Sequence, residues 1–69
     1  MARMEIQTPS RVTVGFIDTD ASGNKTVMDF SRKILGYYDA SRNVTMNYYR
    51  SVVAKGDVTG VFFKDDLSL

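Results

Sequence analysis

From Arg11 to Ile17 the chain sets apolar residues against polar or small ones: Arg11-Val12-Thr13-Val14-Gly15-Phe16-Ile17. A period of two in a stretch rich in β-branched residues predicts a strand. Thr59-Gly60-Val61-Phe62-Phe63 has the same character and predicts another. Between them two periods compete. Val27, Phe30, Ile34 and Tyr38 fall at helical spacing, as do Tyr49, Val52 and Val53, so a β-α-α-β order of the α+β class is the alternative. Three features favour strands. Gly36 would stand inside the first helix, where it costs ~1 kcal/mol relative to Ala. Val, Thr, Ile, Tyr and Phe crowd both segments and suit a pleated, half-buried surface. A recurring Asp-Ala-Ser-x-Asn supplies turn residues where the strands would reverse.

That recurrence is the strongest signal in the chain. Asp20-Ala21-Ser22-Gly23-Asn24-Lys25-Thr26 returns 19 residues later as Asp39-Ala40-Ser41-Arg42-Asn43-Val44-Thr45, identical at five of seven positions. Gly15-Phe16-Ile17-Asp18 is similar to Gly36-Tyr37-Tyr38-Asp39, and Gly60-Val61-Phe62-Phe63 reads as the start of a third copy. A fixed period of about 20 residues marks a repeated supersecondary unit.

Here the unit reads as a β-hairpin with Gly23-Asn24 and Arg42-Asn43 at the loop tips, since two-residue loops need residues tolerant of positive φ. That register sets Ser41 opposite Val44, Tyr37 opposite Tyr48 and Ile17 opposite Phe30. Leu35, Tyr37, Met46 and Tyr48 then share one face, with Tyr38 and Tyr49 on the other. The expected fold is all-β: a small twisted antiparallel meander of about five or six strands, made of two hairpin repeats and a partial third. Its strands would be Val12–Asp18, Thr26–Ser31, Ile34–Asp39, Val44–Tyr49, Val52–Ala54 and Val58–Lys64. Residues 1–10 form an N-terminal edge segment, with Met4-Glu5-Ile6-Gln7 ended by Pro9, and 65–69 a short tail.

Composition narrows the chemistry. A 69-residue chain is one small domain, able to bury only about 60% of its unfolded surface. It contains no Cys and no His, which removes disulfides, the usual zinc sites and His-based acid–base catalysis. A second copy of the chain is the expected staple. Nine Lys and Arg face eight Asp and Glu, well mixed, with no basic or acidic tail. No apolar run matches a signal peptide or a membrane span, so a soluble cytoplasmic protein without membrane contact is expected. No nucleophile has a base beside it in a recognisable motif, and the chain reads as non-enzymatic.

Asp18-Thr19-Asp20-Ala21-Ser22-Gly23-Asn24-Lys25-Thr26-Val27-Met28-Asp29 resembles the calcium loop of the EF-hand family. Asp18, Asp20, Ser22 and Asp29 stand where that loop places oxygen ligands, and Gly23 where it turns. The resemblance implies a calcium-stabilised β module. It departs from the pattern at Lys25, where the loop is apolar, and at Asp29, where it carries Glu. Read from the residues alone, the same stretch is a hairpin turn, because Asp, Ser, Gly and Asn are what turns select.

Tyr37, Tyr38, Tyr48, Tyr49, Phe62 and Phe63, with Arg32, Lys33, Arg42 and Arg50 nearby, form the second candidate. Adjacent rings on a strand point to opposite faces, so one of each pair leaves the core. Such a face suits a subunit interface, because Tyr brings area, rigidity and a polar tip. It also suits stacking on the bases of nucleic acid or on glycan, using Tyr38 and Tyr49 with Arg42 and Arg50. Near-neutral charge favours the interface. The expectation is a small interaction module that self-associates through sheet faces or edges, most simply as a dimer.

Overall fold

Turn chemistry sets the architecture. In four turns the first residue's carboxylate or amide oxygen accepts a hydrogen bond from the amide two residues on: Asp20 from Ser22, Asp29 from Ser31, Asp39 from Ser41 and Asn47 from Tyr49, all at 2.9–3.0 Å. At a fifth, the Thr8 hydroxyl accepts the Val12 amide at 3.2 Å. These side chains take up amides that the reversing backbone leaves free. In the turns opening at Thr8, Asp20, Asp29 and Asn47 the fourth residue's amide donates to the first carbonyl, and the first amide donates to the fifth carbonyl. This is a three-residue loop, a tight turn followed by one left-handed residue. That residue is Arg11 (φ 67°), Gly23 (88°), Arg32 (69°) and Arg50 (65°). In the Asp39 turn Asn43 takes the left-handed position, at φ 53°.

The computed structural model describes residues 2–64. Between the turns run six strands: β1 (Ala2–Gln7), β2 (Thr13–Thr19), β3 (Lys25–Asp29), β4 (Ile34–Asp39), β5 (Val44–Asn47) and β6 (Val52–Lys55). They form one antiparallel sheet in chain order. The all-β meander is thus the fold, and the helical alternative for the middle of the chain falls away. The expected edge strand at the N-terminus is β1. The tail expected at 65–69 lies outside the described residues.

The hairpin tips and register differ from the two-residue loops expected. Ile17 stands opposite Val27, not Phe30, and Tyr37 opposite Met46, not Tyr48. The aspartate-capped turns draw in more residues than a two-residue loop, so the strands close sooner. Phe30, Tyr48 and Tyr49 consequently lie in turns rather than on strand faces.

The expected strand Val58–Lys64 is instead a 3-10 helix, Thr59–Phe63. The reason lies in two glycines. A Cβ on Gly15 would stand 2.3 Å from the Phe63 ring, and one on Gly36 would stand 2.3 Å from the Phe62 ring. Consecutive residues of a strand point to opposite faces, whereas three residues per turn let Phe62 and Phe63 both reach one face of the sheet. Thr45 pins the approach to this segment: fully buried, it donates its hydroxyl to the Gly56 carbonyl (2.7 Å) and accepts the Val58 amide (3.0 Å). Lys25 and Asp57 form an ion pair beside it. Ile17, Val27 and Phe63 make the core, with Ile6, Val14, Leu35 and Phe62 packed against them.

The sheet has three register shifts, each where the strand pair nears a turn: between Ile6 and Gln7, Val27 and Met28, and Thr45 and Met46. The extra residue on the partner strand is Val14, Leu35 and Val53 in turn. Three stretches therefore repeat structurally: Arg11-Val12-Thr13-Val14-Gly15-Phe16, Arg32-Lys33-Ile34-Leu35-Gly36-Tyr37 and Arg50-Ser51-Val52-Val53-Ala54-Lys55. The third copy is β6, not the segment at Gly60. Val14 and Leu35 pack on the core, whereas Val53 is 51% exposed.

Candidate functional site

One face of the sheet is closed by the C-terminal segment; the other is open. Strand alternation and register place Arg3, Phe16, Asp18, Thr26, Tyr37 and Met46 on the open face. Two guanidinium groups bracket Phe16, Arg3 and Arg32, each 5.4 Å from the ring centre. Arg50 lies 4.3 Å from the centre of Tyr37. Arg32 and Arg50 occupy the left-handed position of their turns, and both fold back over a ring two strands away in the chain path. Such stacking contributes about 0.5–1 kcal/mol at exposed sites. An open groove of about 450 Å³ crosses this face, lined in part by Asn24, Thr26, Tyr37, Asp39, Met46 and Arg50.

The expected aromatic–basic set is therefore only partly assembled. Tyr37 and Arg50 meet, and the Arg42 guanidinium reaches the Met46 sulfur at 3.3 Å beside them. Arg42 also pairs with Asp39 at 2.9 Å. Tyr38 belongs to the opposite, closed face, where its hydroxyl donates to Asn43 and Lys25 lies over its ring. Tyr48 and Tyr49 stand apart in the β5–β6 turn, 53% and 76% exposed, their rings 4.3 Å apart. Phe30 is their counterpart in the β3–β4 turn, 71% exposed. Phe30 was expected on the strand Thr26–Ser31, and Arg32 beside the tyrosines rather than over Phe16. The signal for both is the Arg-x-x-apolar-small rhythm that the turn repeats carry, and the closer Asp-Ala-Ser echo outweighed it.

The four candidate calcium ligands come together only in part: Asp18 and Asp20 border one hollow and Ser22 shares the Asp20 turn, while Asp29 stands at the other end of β3. Asp18 lies on the open face, its carboxylate bound by Arg3 through bonds of 2.6 and 2.8 Å. Asp20 accepts the Ser22 and Asn24 amides within its own turn. Ser22 lies in that turn, while Asp29 caps the turn at the far end of β3 and accepts the Ser31 and Lys33 amides. Among the described residues no cluster of three acidic groups stands close enough to hold a metal ion. Four carboxylates are held below the ordinary range by the partners that bind them. Hydrogen bonds from Ser41 and Arg42 hold Asp39 down to about 2. Asp18 is lowered mainly by the hydrogen bond from Arg3, and Asp29 mainly by that from the Ser31 hydroxyl. Burial pushes Asp57 up, but hydrogen bonds from Lys25 and Thr59 outweigh it and leave Asp57 below the usual range.

The two edges of the sheet differ. Strand β1 is charged, with Arg3 paired to Asp18 and Glu5 accepting the Thr13 hydroxyl. Strand β6 presents Val52 and Val53, both about half exposed, and no charge before Lys55. No helix among the described residues is long and apolar enough to cross a membrane.

Fold and surface together define a single-layer β-meander of hairpin repeats, latched on one face and open on the other. Compared with protein-family models, with curated proteins and with solved structures, the chain gives no match.

Proposed function

We propose that this chain is a non-enzymatic interaction module that pairs with a second copy of itself through the β6 edge. One observation carries the reading: the bulge residue that joins the core in the first two repeats, Val14 and Leu35, is solvent-exposed in the third, Val53. Stacked repeats bury their apolar surface against the next repeat, and a terminal repeat needs a cap. Here the last repeat carries Val52 and Val53 at its edge, with Tyr48 and Tyr49 beside them in the preceding turn.

An unguarded edge with free amides and carbonyls is a template for another strand. Antiparallel β6–β6 pairing gives a two-fold dimer with one continuous sheet, a self-complementary contact that closes on itself. A four-residue strand buries less than the ~1,200 Å² of a standard interface, so association is expected to be reversible. Light scattering at two concentrations tests the reading. A mass that rises with concentration supports it, and a monomer at every concentration removes it.

A further inference from the structure

The left-handed position of a tight hairpin turn suits Gly or Asn, which adopt positive φ with little strain. At one end of the sheet the chain obeys: Gly23 and Asn43 take that position in the β2–β3 and β4–β5 turns. At the other end it does the opposite. The β1–β2, β3–β4 and β5–β6 turns place Arg11, Arg32 and Arg50 there, at φ 67°, 69° and 65°. A strained residue type chosen three times on one end of a sheet, and never on the other, points to a use for the side chain.

We propose that Arg11, Arg32 and Arg50 form a binding comb for single-stranded nucleic acid along this end of the sheet. Successive turns on one end are two strands apart, about 10 Å, so the three positions stand in a row. Arg32 and Arg50 stand over Phe16 and Tyr37, 5.4 and 4.3 Å from the ring centres, and a guanidinium so placed can still turn N–H groups to a phosphate. Among the described residues neither forms a salt bridge. Lys33 adds a fourth cation to the row. The Asp29 carboxylate at the same end has Oδ1 occupied by its own turn's amides and the Ser31 hydroxyl.

The rings decide the ligand class. Phe30, Tyr48 and Tyr49 are exposed on these same turns, one or two residues before an arginine. An acidic peptide would use the guanidinium groups and leave the rings idle. A nucleic acid strand uses both, phosphates on the cations and bases on the rings. The comb does not depend on self-association: Arg11, Arg32 and Phe30 lie on turns away from the β6 edge.

The test is fluorescence anisotropy with a labelled oligothymidylate, run against the Arg11→Gly/Arg32→Gly/Arg50→Gly variant and against Phe30→Ser and Tyr49→Ser. Wild-type affinity is expected to fall with salt at a logarithmic slope of roughly −2 to −3, about −0.7 for each of three or four phosphates neutralised. Glycine is the natural occupant of these positions, so the triple variant is expected to keep or raise its melting temperature. Its binding is expected to weaken by roughly tenfold per arginine removed. The serine variants are expected to fold normally and bind several-fold more weakly. Four results overturn the proposal: no binding by the wild type at low salt, unchanged binding by the triple variant, unfolding of that variant, or equal affinity for polyglutamate. The last would make the row a plain anion patch. The triple variant's solution mass should match wild type, which keeps this result separate from the dimer.

Discussion

Asp39 shows how much of this small domain rests on single polar side chains. Its Oδ1 accepts the Ser41 amide and hydroxyl while Oδ2 accepts Arg42. These bonds favour the ionised form, so its folded pKa of about 2 lies below the ~3.9 of an unfolded Asp. A depressed folded value stabilises the native state above the unfolded pKa, and that contribution is lost as pH falls through the folded one. Stability is therefore expected to drop between about pH 4 and pH 2, with Asp18, Asp29 and Asp57 acting in the same direction. Asn47 already closes a turn through an amide oxygen, so Asp39→Asn is expected to keep the turn and flatten part of that pH dependence. Thermal melts across the acid range measure it, and an unchanged slope would sink the assignment. The turns were legible at this scale: Asp-Ala-Ser-x-Asn announced two of them. The caps at Thr8, Asp29 and Asn47 were not, because one geometry is met there by three different residues followed by unrelated ones.

Among the elements, the strands were legible and their register was not. Alternation from Val12 onward located β2, and Gly36 weighed against a helix, but register is fixed by how many residues each capped turn absorbs. The C-terminal segment misled for a different reason. Gly60-Val61-Phe62-Phe63 copies the composition of a repeat start, while tertiary contact decides its conformation. Phe62 and Phe63 must both reach the glycine gaps of β2 and β4, and a strand cannot deliver them together. Gly15→Ala places a Cβ 2.3 Å from the Met28 carbonyl as well as the Phe63 ring, and backbone cannot yield as a side-chain tip can. Overpacking of this kind costs about 1–3 kcal/mol, read as a lower urea midpoint. Thr45→Val keeps the shape but strands the Gly56 carbonyl and Val58 amide. Its expected cost is about 1–3 kcal/mol, with faster hydrogen exchange confined to residues 56–64. Stability equal to wild type in either variant would show that the latch contributes nothing.

At the scale of the whole molecule, a sheet with one latched face, one open face and two unequal edges is an incomplete surface. The repeat explains the inequality. The apolar bulge residue of the first two copies packs on the core, and that of the third is exposed. The two Asp-Ala-Ser turns revealed a repeat in the sequence, yet its third member was hidden, since Ala54-Lys55 replaces the Gly–aromatic pair of the other two. Placing Lys at an edge strand blunts strand addition, and Val53 is already half exposed, so Val53→Lys is expected to leave the monomer folded. The most direct measurement is the solution mass of wild type and Val53→Lys by light scattering after size exclusion, over a range of concentrations. Wild type is expected to rise towards twice the monomer mass while the variant remains monomeric with an unchanged circular dichroism spectrum. Wild type that stays monomeric at the highest concentration, or a variant that dimerises equally well, would contradict it.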